Sequence, residues 1–283
     1  MILVDLNQVM ISNLMMQIGN HKNIEIEESL VRHMVLNSLR SYRSKYGDKY
    51  GELVIACDNR KYWRRDVFPY YKAHRKKQRE KSELDWNAVF NCLHAIKDEI
   101  ATHMPYKVID VEGAEADDVI GTLAARYSAH EPVLILSGDK DFVQLQRYSN
   151  VDQWSPIMKR WLRTDNAAEF LKEHIIKGDT GDGIPNFLSD DACFVEGRRQ
   201  KPVSKKKMAE VFIPNPPEEF CNETMLRNYK RNELLVDLTK TPDAIKQEIV
   251  GVFEGYKVPP RSGLLTYFVE KRLKGLMENI QDF

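Results

Sequence analysis

Cysteine is scarce in this chain of 283 residues: Cys57, Cys92, Cys193 and Cys221 stand far apart, and no Cys-x-x-Cys pair occurs. That spacing offers neither a thiol zinc site nor a disulfide framework, so reduced thiols in a reducing compartment are expected. Long apolar runs are missing too; none approaches the roughly 20 residues that a membrane-spanning helix needs. Asp5 interrupts the opening apolar stretch, which argues against a signal peptide, and a cytoplasmic location without membrane contact is expected. There is no internal repeat and no low-complexity tract. Net charge is also absent, with 42 Lys and Arg balancing 42 Asp and Glu.

What is present is charge segregation. Between Arg60 and Lys81 ten cations face only Asp66 and Glu80, and Arg198, Arg199, Lys201, Lys205, Lys206 and Lys207 form a second cluster without any acid. Separated basic and acidic zones can hold phosphate with one and metal with the other. The 42% apolar content supports a sizeable core.

Alternating patterns predict an α/β domain with a mostly parallel central sheet flanked by helices over residues 1–164, and a helical region over 165–283. Strands are expected at Met1–Leu6, Glu52–Asp58, Tyr106–Val111 and Pro132–Ser137, with a further one at Val151–Trp154. Helices are expected from about Ile26 to Tyr46, over Leu84–Met104, Glu115–Tyr127 and Asn166–Lys177, near Lys205–Val211, and beyond Pro217. In parallel sheets ligands bind outside the C-terminal strand ends. Asp5, Asp58 and Asp139 fall at or just past such ends, and Glu115 and Asp117 follow the third strand closely.

A single Asp at a strand end is more often a cap or turn residue. Convergence of carboxylates from several strand ends on one rim is not explained that way. Such charges repel unless divalent cations sit among them, and hard oxygen donors with no nearby His or Cys cluster suit Mg²⁺ or Mn²⁺. A pair of ions roughly 4 Å apart suits phosphodiester hydrolysis.

Gly113-Ala-Glu115-Ala-Asp117-Asp118, Ser137-Gly-Asp139-Lys-Asp141-Phe142, Tyr71-Lys72-Ala-His-Arg75 and Gly178-Asp179-Thr-Gly-Asp182-Gly-Ile-Pro together resemble the 5′ nuclease superfamily of flap endonucleases and 5′-3′ exonucleases. Tyr62–Asp66, Gln153–Pro156, Pro259–Arg261 and Tyr267–Val269 are most similar to its T-even phage ribonuclease H branch. The likeness runs over nearly the whole chain. It implies a PIN/5′-nuclease-like fold, an arch over about 60–85, a helix-hairpin-helix-like element from Gly178, and DNA binding by the C-terminal region. It also implies two Mg²⁺ ions, replaceable by Mn²⁺. Asp5, Asp58, Glu115, Asp117 and Asp139 would hold the first, and Asp141, Asp179 and Asp182, helped by Asp117 or Asp118, would surround the second.

The same likeness puts Lys72 and Arg75 at the scissile phosphate. Their spacing would place them on one helix face. Tyr71 is expected to stack on a base, and Arg64, Arg65, Lys76, Lys77 and Arg79 to clamp the backbone. The glycines of the 178–185 turn, Gly181 and Gly183 among them, should let backbone N–H groups approach phosphate. A second glycine hairpin is missing, replaced by Gly197–Lys207, where Lys205, Lys206 and Lys207 would restore phosphate contact in place of a potassium site. Asp5 lies so near Met1 that a clamp-docking tail is not expected.

The activity implied is cleavage of RNA-primed or flapped DNA during phage-type replication, in the host cytoplasm, by a monomer. Its partners would be branched duplex DNA and RNA–DNA hybrid, with a single-strand-binding protein on the C-terminal helices. Two other readings stay open. A PIN-type ribonuclease would usually lack the long basic segment and the Gly-Asp-x-Gly-Asp element. A non-catalytic structure-specific DNA-binding protein would usually have lost a ligand acid.

Overall fold

The computed structural model describes residues 1–19 and 26–283. Strand β1 (Ile2–Asp5) runs directly into helix α1 (Leu6–Ile18), and Asp5 both ends the strand and caps the helix by accepting from Gln8 N at 3.0 Å. The strand thus ends on the carboxylate, as the sequence suggested. The helix had not been anticipated, although Leu6, Val9, Met10, Leu14 and Ile18 lie on its buried face.

Helix α2 (Glu28–Tyr50) leads to β2 (Leu53–Ala56), followed by the short α3 (Arg64–Val67) and α4 (His74–Glu80) in the basic segment. Then come α5 (Trp86–His103), β3 (Lys107–Ile109), α6 (Ala116–Tyr127) and β4 (Val133–Leu136). A 3₁₀ stretch (Lys140–Arg147) precedes the hairpin of β5 (Val151–Ser155) and β6 (Arg160–Leu162). The six strands form one sheet in the order β3-β2-β1-β4-β5-β6, parallel throughout except for the β5–β6 pair. The edge strand β6, short and partly exposed, had not been foreseen.

Successive side chains of a strand point to opposite faces, and both faces of β1 are covered. Ile2 and Val4 pack with Leu14, Val35, Leu39 and Ile96, whereas Leu3 packs with Val54, Val119, Ile120 and Leu123. The register pairs Asp5 with Ala56 and Val4 with Leu136, so the chain leaves β1, β2 and β4 at one rim.

Beyond β6 the described chain is helical: α7 (Ala167–Lys177), the single-turn α8 (Lys205–Lys207) continuing as a π-helical turn to Phe212, α9 (Pro217–Phe220) and α10 (Glu223–Val236). Then follow α11 (Asp243–Gly255), α12 (Leu264–Glu270) and α13 (Lys274–Met277). Helices α7 and α10 build a separate core with Phe187, Phe212 and Tyr71. The helices after Pro242 return to the sheet instead. Ile249 of α11 joins the layer of α6, and Leu264, Tyr267, Phe268, Leu276 and Phe283 join the layer of α1, α2 and α5. All six strands lie before residue 164, but that boundary does not separate cores.

Candidate active site

The rim where β1, β2 and β4 end opens into a cleft of about 1080 Å³. Asp5, Asp58, Glu115, Asp117, Asp139 and Asp182 line it, together with Lys72 and Arg75. Asp5, Asp58 and Asp139 are fixed by their neighbours. Ser137 Oγ donates to Asp5 Oδ2 at 3.1 Å, and Ala116 N donates to Asp58 Oδ1 at 2.7 Å, with the Asn7 amide on the other oxygen. Asp139 caps the 3₁₀ stretch by accepting from Asp141 N, and Gln153 holds the Asp139 carbonyl at 2.7 Å.

The charges are crowded. Burial, then Asp58 and Asp139, pushes the Asp5 carboxyl up to about 7. Burial and neighbouring acids likewise raise Asp117 and Asp141 well above the carboxylate range. Carboxyl groups gathered this closely would be stabilised in their charged form by a divalent cation, and their oxygen donors suit a hard one. The donor set therefore fits the metal that the sequence implied.

Asp141 and Asp179 stand behind this cleft, beside a residue that the sequence reading missed. It foresaw no histidine near the acids, yet His174, buried near the end of α7, lies between them. Its Nε2 is 3.0 Å from Asp179 Oδ2, and its Nδ1 is 3.5 Å from Asp141 Oδ1. The signal was its position five residues before Asp179, just ahead of the turn that folds the chain back on α7. Lys140 also pairs with Asp179 Oδ2 at 2.8 Å. Burial alone would raise the Asp179 carboxyl, but His174 and Lys140 hold it below its ordinary range.

Several expectations are corrected. Arg64 is no surface clamp: it is 2% exposed and forms a two-pronged pair with Asp118 at 2.8 and 2.9 Å, with Glu115 also 2.9 Å away. Asp118 is not left free for metal. It also accepts from Trp63 Nε1, Thr241 Oγ1 and Glu115 N, and although burial favours its neutral form, Arg64 lowers its pKa below the ordinary value. Tyr71 cannot stack on a base, because its ring is buried and its hydroxyl lies 3.0 Å from Glu115 and 2.8 Å from Asp182.

Lys72 and Arg75 do not share a helix face, since Lys72 lies in the turn before α4 with φ 55°. That left-handed conformation costs about 1–2 kcal/mol, and the Lys72 N–H bond to Asp182 O at 2.7 Å holds it. The Lys72 Nζ reaches Glu115 Oε1 at 2.5 Å, and Arg75 Nη2 reaches Asp182 Oδ1 at 2.6 Å. Burial alone would lower the Lys72 pKa, yet Asp182 and Glu115 keep it above its usual range. Gly183 is not open to phosphate either: it is buried, and its N–H already donates to Thr180 O at 3.3 Å.

Gly181 is exposed, as are Arg65, Lys76, Lys77, Lys205, Lys206 and Lys207. The Arg65 guanidinium lies over the Tyr62 ring, the half-buried Arg79 lies over Phe90, and Lys77 reaches the Val195 carbonyl at 2.9 Å.

A parallel sheet with this acidic rim and a helical C-terminal region is the PIN-like fold of the 5′ nucleases. The D15 protein of phage T5, crystallised with metal ions, superposes on it with a TM-score of 0.60 at 17% identity, covering 89% of this chain and 98% of that one. The T5 D15 flap endonuclease in a complex with DNA and metal ions superposes at 0.58. Residues 1–175 match the 5′-3′ exonuclease N-terminal resolvase-like domain, and residues 167–283 match the C-terminal domain of T4 RNase H. The ribonuclease H of Enterobacteria phage T4 is 36% identical over 99% of this chain and 95% of its own length. A 5′-3′ exonuclease of Streptomyces coelicolor is 36% identical over 47% of this chain and 50% of its own length. The chain belongs to the 5′-3′ exonuclease family, in the branch represented by T4 ribonuclease H, and is a nuclease of that family.

Proposed function

We propose that this chain is a divalent-metal-dependent 5′ nuclease that hydrolyses phosphodiester bonds in RNA-primed or flapped DNA, removing primers and short 5′ flaps in phage-type replication. The observation that carries this reading is the cleft itself, which Asp5, Asp58, Asp117, Asp139 and Asp182 line together with Lys72 and Arg75. Asp5, Asp58, Asp117 and Asp139 would hold one Mg²⁺ or Mn²⁺, directly or through water, and Asp141, Asp179 and Asp182 would surround a second. When bound, such ions lower the pKa of water and neutralise charge on phosphoryl oxygens.

The chain supplies the rest. Ser137 and Asn7 orient Asp5 and Asp58. Glu115, whose oxygens take Arg64, Tyr71 and Lys72, keeps the Lys72 ammonium at the cleft wall. Lys72 and Arg75 can there meet the negative charge that develops on the reacting phosphate. The exposed cations Arg65, Lys76 and Lys77 around the 60–85 segment, and Lys205, Lys206 and Lys207 on the C-terminal region, would grip the duplex backbone, so binding should weaken as salt rises.

The test is a gel assay of an end-labelled 5′ flap, an RNA-primed duplex and unstructured RNA, each with Mg²⁺ and with chelator. Metal-dependent cutting near the 5′ end of the first two supports the proposal. Cutting confined to the unstructured RNA favours a PIN-type ribonuclease, and binding without cutting favours a non-catalytic protein.

A further inference from the structure

Two buried atoms beside the cleft face each other with no hydrogen-bond partner among the described residues: His174 Nδ1 and Asp141 Oδ1. They are 3.5 Å apart. The other imidazole nitrogen is committed, because Nε2 lies 3.0 Å from Asp179 Oδ2. Asp179 is itself locked, with Oδ1 accepting from Asp182 N at 3.1 Å and Oδ2 also accepting from Lys140 at 2.8 Å. A carboxylate oxygen can only accept, so Nε2 carries a proton, and in the neutral imidazole that can ligate a metal Nδ1 presents a lone pair. Opposite it stands the Asp141 carboxyl, 3.5 Å away. In a site 94% shielded on the histidine side, the two atoms are satisfied only by a shared proton or by a cation between them, and 3.5 Å is long for a hydrogen bond.

The spacing suits a metal. Two donors about 2.1 Å from a tetrahedral zinc ion stand about 3.4 Å apart. Ligating histidines commonly donate their second N–H to a carboxylate, which is the relation of Nε2 to Asp179. Asp141, His174 and Asp179 bring one donor atom each within 4.8 Å of one another.

We propose that His174 Nδ1 and Asp141 Oδ1 are direct ligands of a divalent cation, with Asp179 orienting the imidazole from behind, and that this nitrogen donor makes the seat select a first-row transition ion such as Zn²⁺ or Co²⁺ over Mg²⁺. The assignment rests on the metal-dependent reading above and sharpens it. An all-oxygen site suits Mg²⁺, whereas imidazole shifts affinity toward transition ions.

The test is NMR of the full chain labelled with ¹⁵N-histidine, titrated with Zn²⁺ and separately with Mg²⁺, alongside calorimetry of both ions. Zn²⁺ is expected to move the Nδ1 resonance of one of the seven histidines upfield, Mg²⁺ to leave it in place, and His174→Gln to remove it. Should that variant not fold, Asp179→Asn provides the second reading, with Zn²⁺ affinity at this seat lowered by about 10–100-fold. Zn²⁺ binding by calorimetry with no imidazole shift, or with a shift at Nε2, overturns the assignment while leaving a carboxylate site intact. Binding of neither ion, with cleavage persisting in chelator, overturns the metal-dependent reading as well.

Discussion

Asp5, Asp58 and Asp139 were legible in the sequence because a parallel sheet dictates where strand ends go, and an acid there has one rim to share. Arg64, Tyr71 and Asp118 were not. In sequence they look like members of a basic arch and an acidic helix start, and what converts them into a buried network comes from far away, Leu235 O and Thr241 Oγ1. That network makes a prediction. Arg64→Met leaves Asp118 buried without its cation and should lower the free energy of unfolding by about 3–5 kcal/mol, read by urea denaturation. In a double-mutant cycle with Asp118→Leu, whose loss also strands Trp63, Thr241 and the Glu115 N–H, the two losses should fall short of adding; additive losses would mean that Asp118 is not the partner at stake. Lys72 acts on the reaction instead. Lys72→Ala should reduce single-turnover cleavage by about 10²–10³-fold with a far smaller change in duplex affinity. A loss confined to affinity would make it a binding residue only.

Helices with strong periodicity were readable, α2, α5, α6 and α7 among them, whereas the short α3 and α4 were not, because distant partners place them: Glu115, Asp118 and Leu235 O hold Arg64 of α3, and Gly181 O and Asp182 hold Arg75 of α4. The ties between elements are also invisible in sequence. Glu99 on α5 accepts from Arg32 of α2 on both oxygens, and from Tyr267 and Lys271 near the end of the chain on the same two. Burial would raise its carboxyl, but these three donors together lower it below its usual range. A carboxyl whose folded pKa is depressed stabilises the fold above its unfolded value, about 4.3, and that contribution disappears as pH falls through the folded value. Glu99→Gln should therefore cost roughly 1 kcal/mol at pH 7 and flatten the stability–pH slope below about pH 5. An unchanged slope would show that the three elements are held together without this charge.

At the scale of the whole molecule, the sequence divided the chain into an α/β part and a helical part, and composition does change near residue 165. The division of cores is different because apolar residues late in the chain, Ile249 on one face and Phe268 on the other, close the two layers over the sheet. Nothing in local periodicity says which layer a late helix will join. Phe268, fully buried against Tyr267 and Phe283, should cost about 3–5 kcal/mol when replaced by alanine. The loss is expected to appear as a lower midpoint for the sheet domain itself, followed through Trp154 fluorescence. A separate early transition that leaves the Trp154 signal unchanged would argue for independent domains.

The central claim is that acids scattered from Asp5 to Asp182 gather into one seat for hard cations. Counting bound Mn²⁺ by electron paramagnetic resonance, in the native chain and in Asp139→Asn, tests it most directly. The expected result is about two ions per native chain and at least one fewer in the variant, at unchanged thermal stability. Equal occupancy in both proteins, or no bound ion in either, would contradict it.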